Sequence, residues 1–240
     1  MTDLRSTHEF PTTHWGRVIA AGDRDAPEAR DALAELCAAY WFPVYAFIRR
    51  KGNDPESSLD LTQGYFARLL ESGALAAADP GKGRFRAFLR ADAAFFLADA
   101  RDRDGALKRG GGIRFVPLDA EGRYAAEPAD GLTPERLFDR AWALDLLTAV
   151  VDRLREEYAG AGKSAAFEML KGILDGDPRH APYAELARRL GTSEGAIQVA
   201  AHRLRRRYRD RIREAIAATV ADASEVEVED EIRALFAALA

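Results

Sequence analysis

Residues 183–214 read YAELARRLGTSEGAIQVAAHRLRRRYRDRIRE. Tyr183, Leu186 and Leu190 recur at three- and four-residue spacing, the inward stripe of a short helix. Gly191 follows, a residue free to take the left-handed backbone conformation that ends a helix, and Thr192 or Ser193 can cap the next one. Ile197, Ala201, Leu204 and Tyr208 then repeat on a second stripe, so the segment predicts a helix-turn-helix. The opposite face of the second helix presents Gln198, His202, Arg203, Arg205, Arg206 and Arg209. These residue types reach base edges and phosphates from a helix lying in a DNA groove.

Charge around this segment is one-sided. The 240-residue chain has a formal net charge of -4, which by itself argues against a polyanionic partner. Between residues 179 and 213, Arg179, Arg188, Arg189, Arg203, Arg205, Arg206, Arg207, Arg209, Arg211 and Arg213 face only Glu185, Glu194 and Asp210. A solvated arginine-rich helix is the plainer alternative, but turn chemistry and one-sided charge coincide here, which favours DNA.

Upstream the chain repeats the helical pattern. Leu33, Leu36, Tyr40, Val44 and Phe47 mark one helix, in which Pro43 predicts a kink or a restart. Asp54 and Pro55 open a second, expected over 56–71. Phe85, Phe88, Leu89, Phe96 and Leu97 mark a third. Between Lys108 and Gly131 glycine and proline are frequent and helical periodicity lapses, as expected of a linker. Thr133, Pro134 and Glu135 start the next helix, carried on by Leu137, Phe138, Leu144, Leu147, Val151 and Leu154. Phe167, Leu170, Ile173 and Leu174 suggest another. The chain therefore reads as all-α, in two helical lobes.

Several function classes are disfavoured. Cys37 is the single cysteine, so there is no internal disulfide framework, and its apolar neighbours make it a small core residue. The histidines have no partner at metal-ligand spacing, and no metal or cofactor is expected. A Walker loop, a nucleophile elbow and an HExxH motif are all missing, so the chain is not expected to be an enzyme. With neither a signal-peptide core nor about 18 uninterrupted apolar residues, it is expected to be soluble and cytoplasmic, without membrane insertion.

Three first-half stretches carry a family resemblance. They are AYWFPVYAFIRRKG (39–52), DPESSLDLTQGYFARLLE (54–71) and GRFRAFLRADAAFFLADARDRD (83–104), with KRGGG (108–112) opening the linker. Together with 183–214 they resemble the extracytoplasmic-function (ECF) sigma factors of the bacterial sigma-70 superfamily. That resemblance implies an N-terminal arm (1–27), a sigma-2-like three-helix-type bundle (28–107), a Gly/Pro-rich linker (108–131) and a sigma-4-like helix-turn-helix domain (132–218). An acidic amphipathic tail (219–240) completes the expected organisation.

The resemblance also implies partners: core RNA polymerase, through the clamp helices of its largest subunit and the flap of its second subunit, promoter DNA, and an anti-sigma or other regulatory protein. Polymerase docking would fall to Asp60, Gln63 and Arg68. Contact with the -10 element would fall to Arg84, Arg86, Phe88, Arg90, Arg101 and Arg103, with aromatic and basic side chains meeting separated single-stranded bases. Contact with the -35 element would fall to Ser193, Glu194, Gln198, Val199, His202, Arg203 and Arg206. The phenylalanines of the third helix are expected in the core, and Asp92, Asp99, Asp102 and Asp104 share its surface. Trp15 is expected to anchor the N-terminal arm. The tail is expected to fold back on the basic helix-turn-helix surface or to contact a regulator. A stand-alone helix-turn-helix regulator is the competing expectation.

Overall fold

A computed structural model describes residues 29–79, 81, 83–103, 120–126, 131–174, 182–220 and 224–240. Every regular element among them is helical. The N-terminal arm, Trp15 included, and most of the expected linker lie outside the described residues. The α-helices are α1 (Ala29–Arg50), α2 (Pro55–Glu71), α3 (Phe85–Arg103), α4 (Ala120–Ala125), α5 (Pro134–Gly160), α6 (Ser164–Leu170), α7 (Tyr183–Leu190), α8 (Glu194–Ala217) and α9 (Glu225–Leu239). Short 3-10 turns follow α2 at Ala74–Ala77 and α6 at Lys171–Ile173. No described helix is long and apolar enough to cross a membrane.

The described chain divides into two compact units. One runs to Asp145 and resumes at Ile216, and the other is Leu146–Ala215. These cuts fall inside α5 and α8, whereas the sequence suggested a break at 108–131.

In the first unit α1 packs on α2, α3 and α4. Val44, Tyr45, Ala46, Phe47 and Ile48 are five consecutive residues at 0–1% exposure, so this part of α1 has no solvent face. The helix passes through Pro43 without restarting, although the ring withholds a backbone donor. Burial of the flanking aromatics outweighs that local loss: a fully buried side chain of this size contributes about 1.5–3 kcal/mol. Tyr40 meets Phe85 edge-on at 5.6 Å and Phe138 stacked at 6.4 Å, joining α1, α3 and α5. Tyr65 of α2 packs against Phe96 at 5.7 Å and donates its hydroxyl to the Leu89 carbonyl at 3.2 Å.

Helix starts follow the expected chemistry. The Asp54 carboxylate accepts from the Ser57 amide at 3.0 Å, ahead of Pro55 at the first position of α2. Thr133 Oγ1 accepts from the Arg136 amide at 3.2 Å and caps α5. Cys37 is partly buried, and burial pushes its thiol up to about 11, in keeping with a packing role.

Helix α4 was not foreseen. It lies within the stretch read as a linker and is fastened to α1: Glu121 receives Arg49 through Nη2 at 2.9 Å and Nε at 3.2 Å, and the Tyr45 hydroxyl at 2.6 Å. The bidentate guanidinium holds the Glu121 carboxyl below the usual glutamate range.

Helix α9, capped by Ser224, belongs to the unit that contains α1–α4 and not to the Leu146–Ala215 unit of the helix-turn-helix. Its buried face carries Val228, Glu231 and Leu235, and the Glu231 carboxylate finds its partners in Arg84 and Arg86 beside α3.

In the second unit the later turns of α5, with α6, α7 and most of α8, bury Leu154, Phe167, Leu170, Leu186, Ile197, Ala201 and Leu204. Tyr158 and Phe167 pack at 5.3 Å, and Arg155 bonds Glu168 at 2.8 Å, fixing α6 on α5. Arg211 reaches Glu157 at 2.7 Å and Arg207 lies over the Tyr158 ring at 5.6 Å, which ties α8 to α5.

Candidate nucleic-acid interface

The turn between α7 and α8 is built from specific backbone bonds. Gly191 sits at φ 63°, ψ 36°, in the left-handed region, where a side chain would be strained. Its amide bonds the Arg188 carbonyl at 3.4 Å and the Thr192 amide bonds the Ala187 carbonyl at 2.9 Å, the paired bonds of a Schellman ending. Ser193 opens α8: its Oγ accepts from the Ala196 amide at 3.2 Å and its carbonyl from the Ile197 amide at 3.1 Å. Of the two residues that the sequence offers as caps, Ser193 makes the bond.

With both ends fixed, the rotation of α8 follows from its buried stripe, Ile197, Ala201, Leu204 and Ile212. Gln198, His202, Arg205, Arg206 and Arg209 succeed one another on the exposed side, with Val199 and Arg203 at its margin. Val199 is 50% exposed, an apolar side chain left among arginines. The cations of the helix then sort into two kinds. Arg207 and Arg211 point back to Tyr158 and Glu157 and help hold the unit together. Arg203, Arg205, Arg206 and Arg209 are exposed, with no partner among the described residues. All seven -35 candidates are exposed, Ser193 and Glu194 in the first turn and Gln198, Val199, His202, Arg203 and Arg206 beyond it.

The -10 candidates have a different environment. Arg84 Nε lies 2.6 Å from Glu231 Oε2, and Arg86 pairs with Glu231 Oε1. Arg90 bonds Asp139 at 2.6 Å, and Arg101 donates to the Lys51 carbonyl at 3.1 Å. Arg86 is nearly buried, its guanidinium 4.2 Å from the centre of the Trp142 ring. Desolvation first, and then the charge of Arg84, push it down to about 10, which leaves it charged at neutral pH. Phe88 is partly buried and stacks on Phe85 at 5.9 Å, as a core residue does, whereas Phe95 is 75% exposed and departs from the expected core role. Arg103 closes α3, and its side chain lies outside the described residues.

On α2, Asp60 is exposed and Gln63 partly so, three residues apart on one face. Arg68 is turned elsewhere, against Asp92, at 2.5 Å. The structure thus keeps the first two candidates together and gives the third an internal partner. Sequence reading missed the exposure of Phe95 and the internal pairing of the α3 arginines. The first had a partial signal, since adjacent Phe95 and Phe96 project about 100° apart on one helix and the apolar stripe of Phe85, Phe88, Leu89, Phe96 and Leu97 leaves Phe95 at its edge.

Three or more metal-binding side chains do not converge anywhere among the described residues. Comparisons with family models, with curated proteins and with solved structures find no match.

Proposed function

We propose that this chain is a sigma factor of the extracytoplasmic-function type, which binds core RNA polymerase and directs promoter-specific initiation in the cytoplasm. The observation that carries the reading is α8: a capped second helix of a helix-turn-helix whose exposed face holds four arginines without partners among the described residues. In this reading α8 enters the major groove at the -35 element and its arginines meet the flanking phosphates. The α1–α3 bundle takes the sigma-2 role, with Asp60 and Gln63 on the clamp helices, and the helix-turn-helix unit takes the sigma-4 role at the flap. Proton transfer and covalent chemistry have no part in it.

The test is equilibrium binding of labelled protein to purified core RNA polymerase, comparing wild type with the double variant Asp60→Ala, Gln63→Ala. Tight binding that the variant loses supports the sigma reading. If core is not bound while duplex DNA is, the reading is wrong and the protein is a stand-alone helix-turn-helix regulator. One observation favours that second reading: Arg84, Arg86, Arg90 and Arg101 are engaged within the protein, leaving α8 as the face best prepared for DNA.

A further inference from the structure

Helix α9 buries a carboxylate where its packing alone would ask for an apolar residue. Glu231 lies between Val228 and Leu235 on the inward face and is 1% exposed. Burying two opposite charges is seldom better for stability than packing hydrocarbon, so a carboxylate here is poorly explained by stability alone. Its surroundings are those of an anion site. Arg84 and Arg86 converge on it from the start of α3, and Arg86 is backed by the face of Trp142. Paired guanidiniums match phosphate oxygens as well as they match a carboxylate.

The occupancy is incomplete. Glu231 Oε2 is buried yet receives no directed hydrogen bond, since Arg84 approaches it closely without aiming an N–H at it. Arg84 keeps 41% of its side chain exposed while that of Glu231 keeps 2%, so the cation is open to a second anion from solvent. The last turn of α9 is held in the same way, by Arg140 donating to the Leu239 carbonyl at 3.1 Å. Asp139 also faces this cluster, through Arg90 at 2.6 Å and Arg86 at 3.7 Å, so removing Glu231 leaves one local carboxylate behind.

We propose that α9 is an internal substitute for nucleic acid: Glu231 occupies the anion site of Arg84 and Arg86, and a single-stranded DNA backbone competes with it there. The proposal rests on the reading of the α3 arginines as DNA-facing, and it makes the C-terminal helix an autoinhibitory element.

The test uses the full chain and a labelled single-stranded oligothymidylate, without polymerase, so loss of core binding and failure of this proposal are separate outcomes. Glu231→Gln keeps the shape and removes the charge; it is expected to tighten oligonucleotide binding about tenfold, and Arg84→Ala with Arg86→Ala in the same chain to abolish the gain. In the wild type, amide exchange within 228–239 should quicken when oligonucleotide is added, and inorganic phosphate alone should not reproduce it. Unchanged affinity in Glu231→Gln, or a gain that survives loss of both arginines, overturns the proposal. If Glu231→Gln does not fold, the exchange measurement decides: bound oligonucleotide with α9 still fully protected overturns it as well.

Discussion

Replacing Arg203 and Arg206 by alanine isolates the electrostatic work assigned to α8. The side chains are exposed and unpaired among the described residues, so their removal should leave stability nearly unchanged. Binding to duplex DNA should weaken in a way that salt reveals. Each neutralised phosphate contributes about -0.9 to the slope of log K against log salt, so Arg203, Arg205, Arg206 and Arg209 together give a slope near roughly -3.6. Between 50 and 200 mM salt that slope amounts to about a 150-fold loss of affinity, and the double variant, with a slope near about -1.8, should lose only about 12-fold. Fluorescence anisotropy with a labelled duplex across that salt range measures both slopes. Equal slopes for the two proteins, with both folded by circular dichroism, would refute the assigned face.

Two glycines should respond in opposite directions. Gly191→Ala forces a side chain into φ 63° and should cost about 1–2 kcal/mol in the helix-turn-helix unit. Gly64→Ala should stabilise by about 1 kcal/mol, because the added carbon would meet only Phe96 Cζ at 3.5 Å and the site is inside a helix. Urea titration reads both, and a shared sign would show that the turn or the α2–α3 spacing is misjudged. Glu121 supplies a pH dependence: its carboxyl is held below the usual glutamate range, mainly by Arg49, so its contribution is present above that range and disappears as pH falls through the lower folded value. Glu121→Gln should therefore be less stable than wild type at pH 7, and the two should converge under acid. A gap that persists undiminished at low pH would mean that the Arg49 pairing does not set the stability.

Features written in adjacent residues were legible. Asp54 with Pro55, Thr133 with Pro134, and Gly191 with Ser193 are cap signals in which donor and acceptor lie within a few positions, and each appears as a helix boundary. The α8 face was legible for the same reason, since helical rotation follows from the spacing of Ile197, Ala201 and Leu204. Distant pairings were not. Arg49 meets Glu121 72 residues away and Arg90 meets Asp139 49 residues away, and nothing local distinguishes these arginines from the unpaired ones of α8. Helix α4 was hidden because a six-residue helix containing Gly122 leaves no periodic trace; its attachment to α1 through Glu121 is what local pattern could not supply. At Pro43, local propensity pointed to a kink or a restart, and the helix runs on without restarting because its whole neighbourhood is buried.

The run from Val44 to Ile48 has a consequence for how this sequence can vary. An ordinary surface helix has a wet side on which residues may drift, and its buried stripe absorbs the constraint. This stretch of α1 has no wet side. Each of its five positions answers to a neighbour, so a change of volume at one must be matched by a compensating change elsewhere. Variation in this protein should therefore gather on exposed positions outside the faces assigned to binding, while the middle of α1 admits only coordinated replacements.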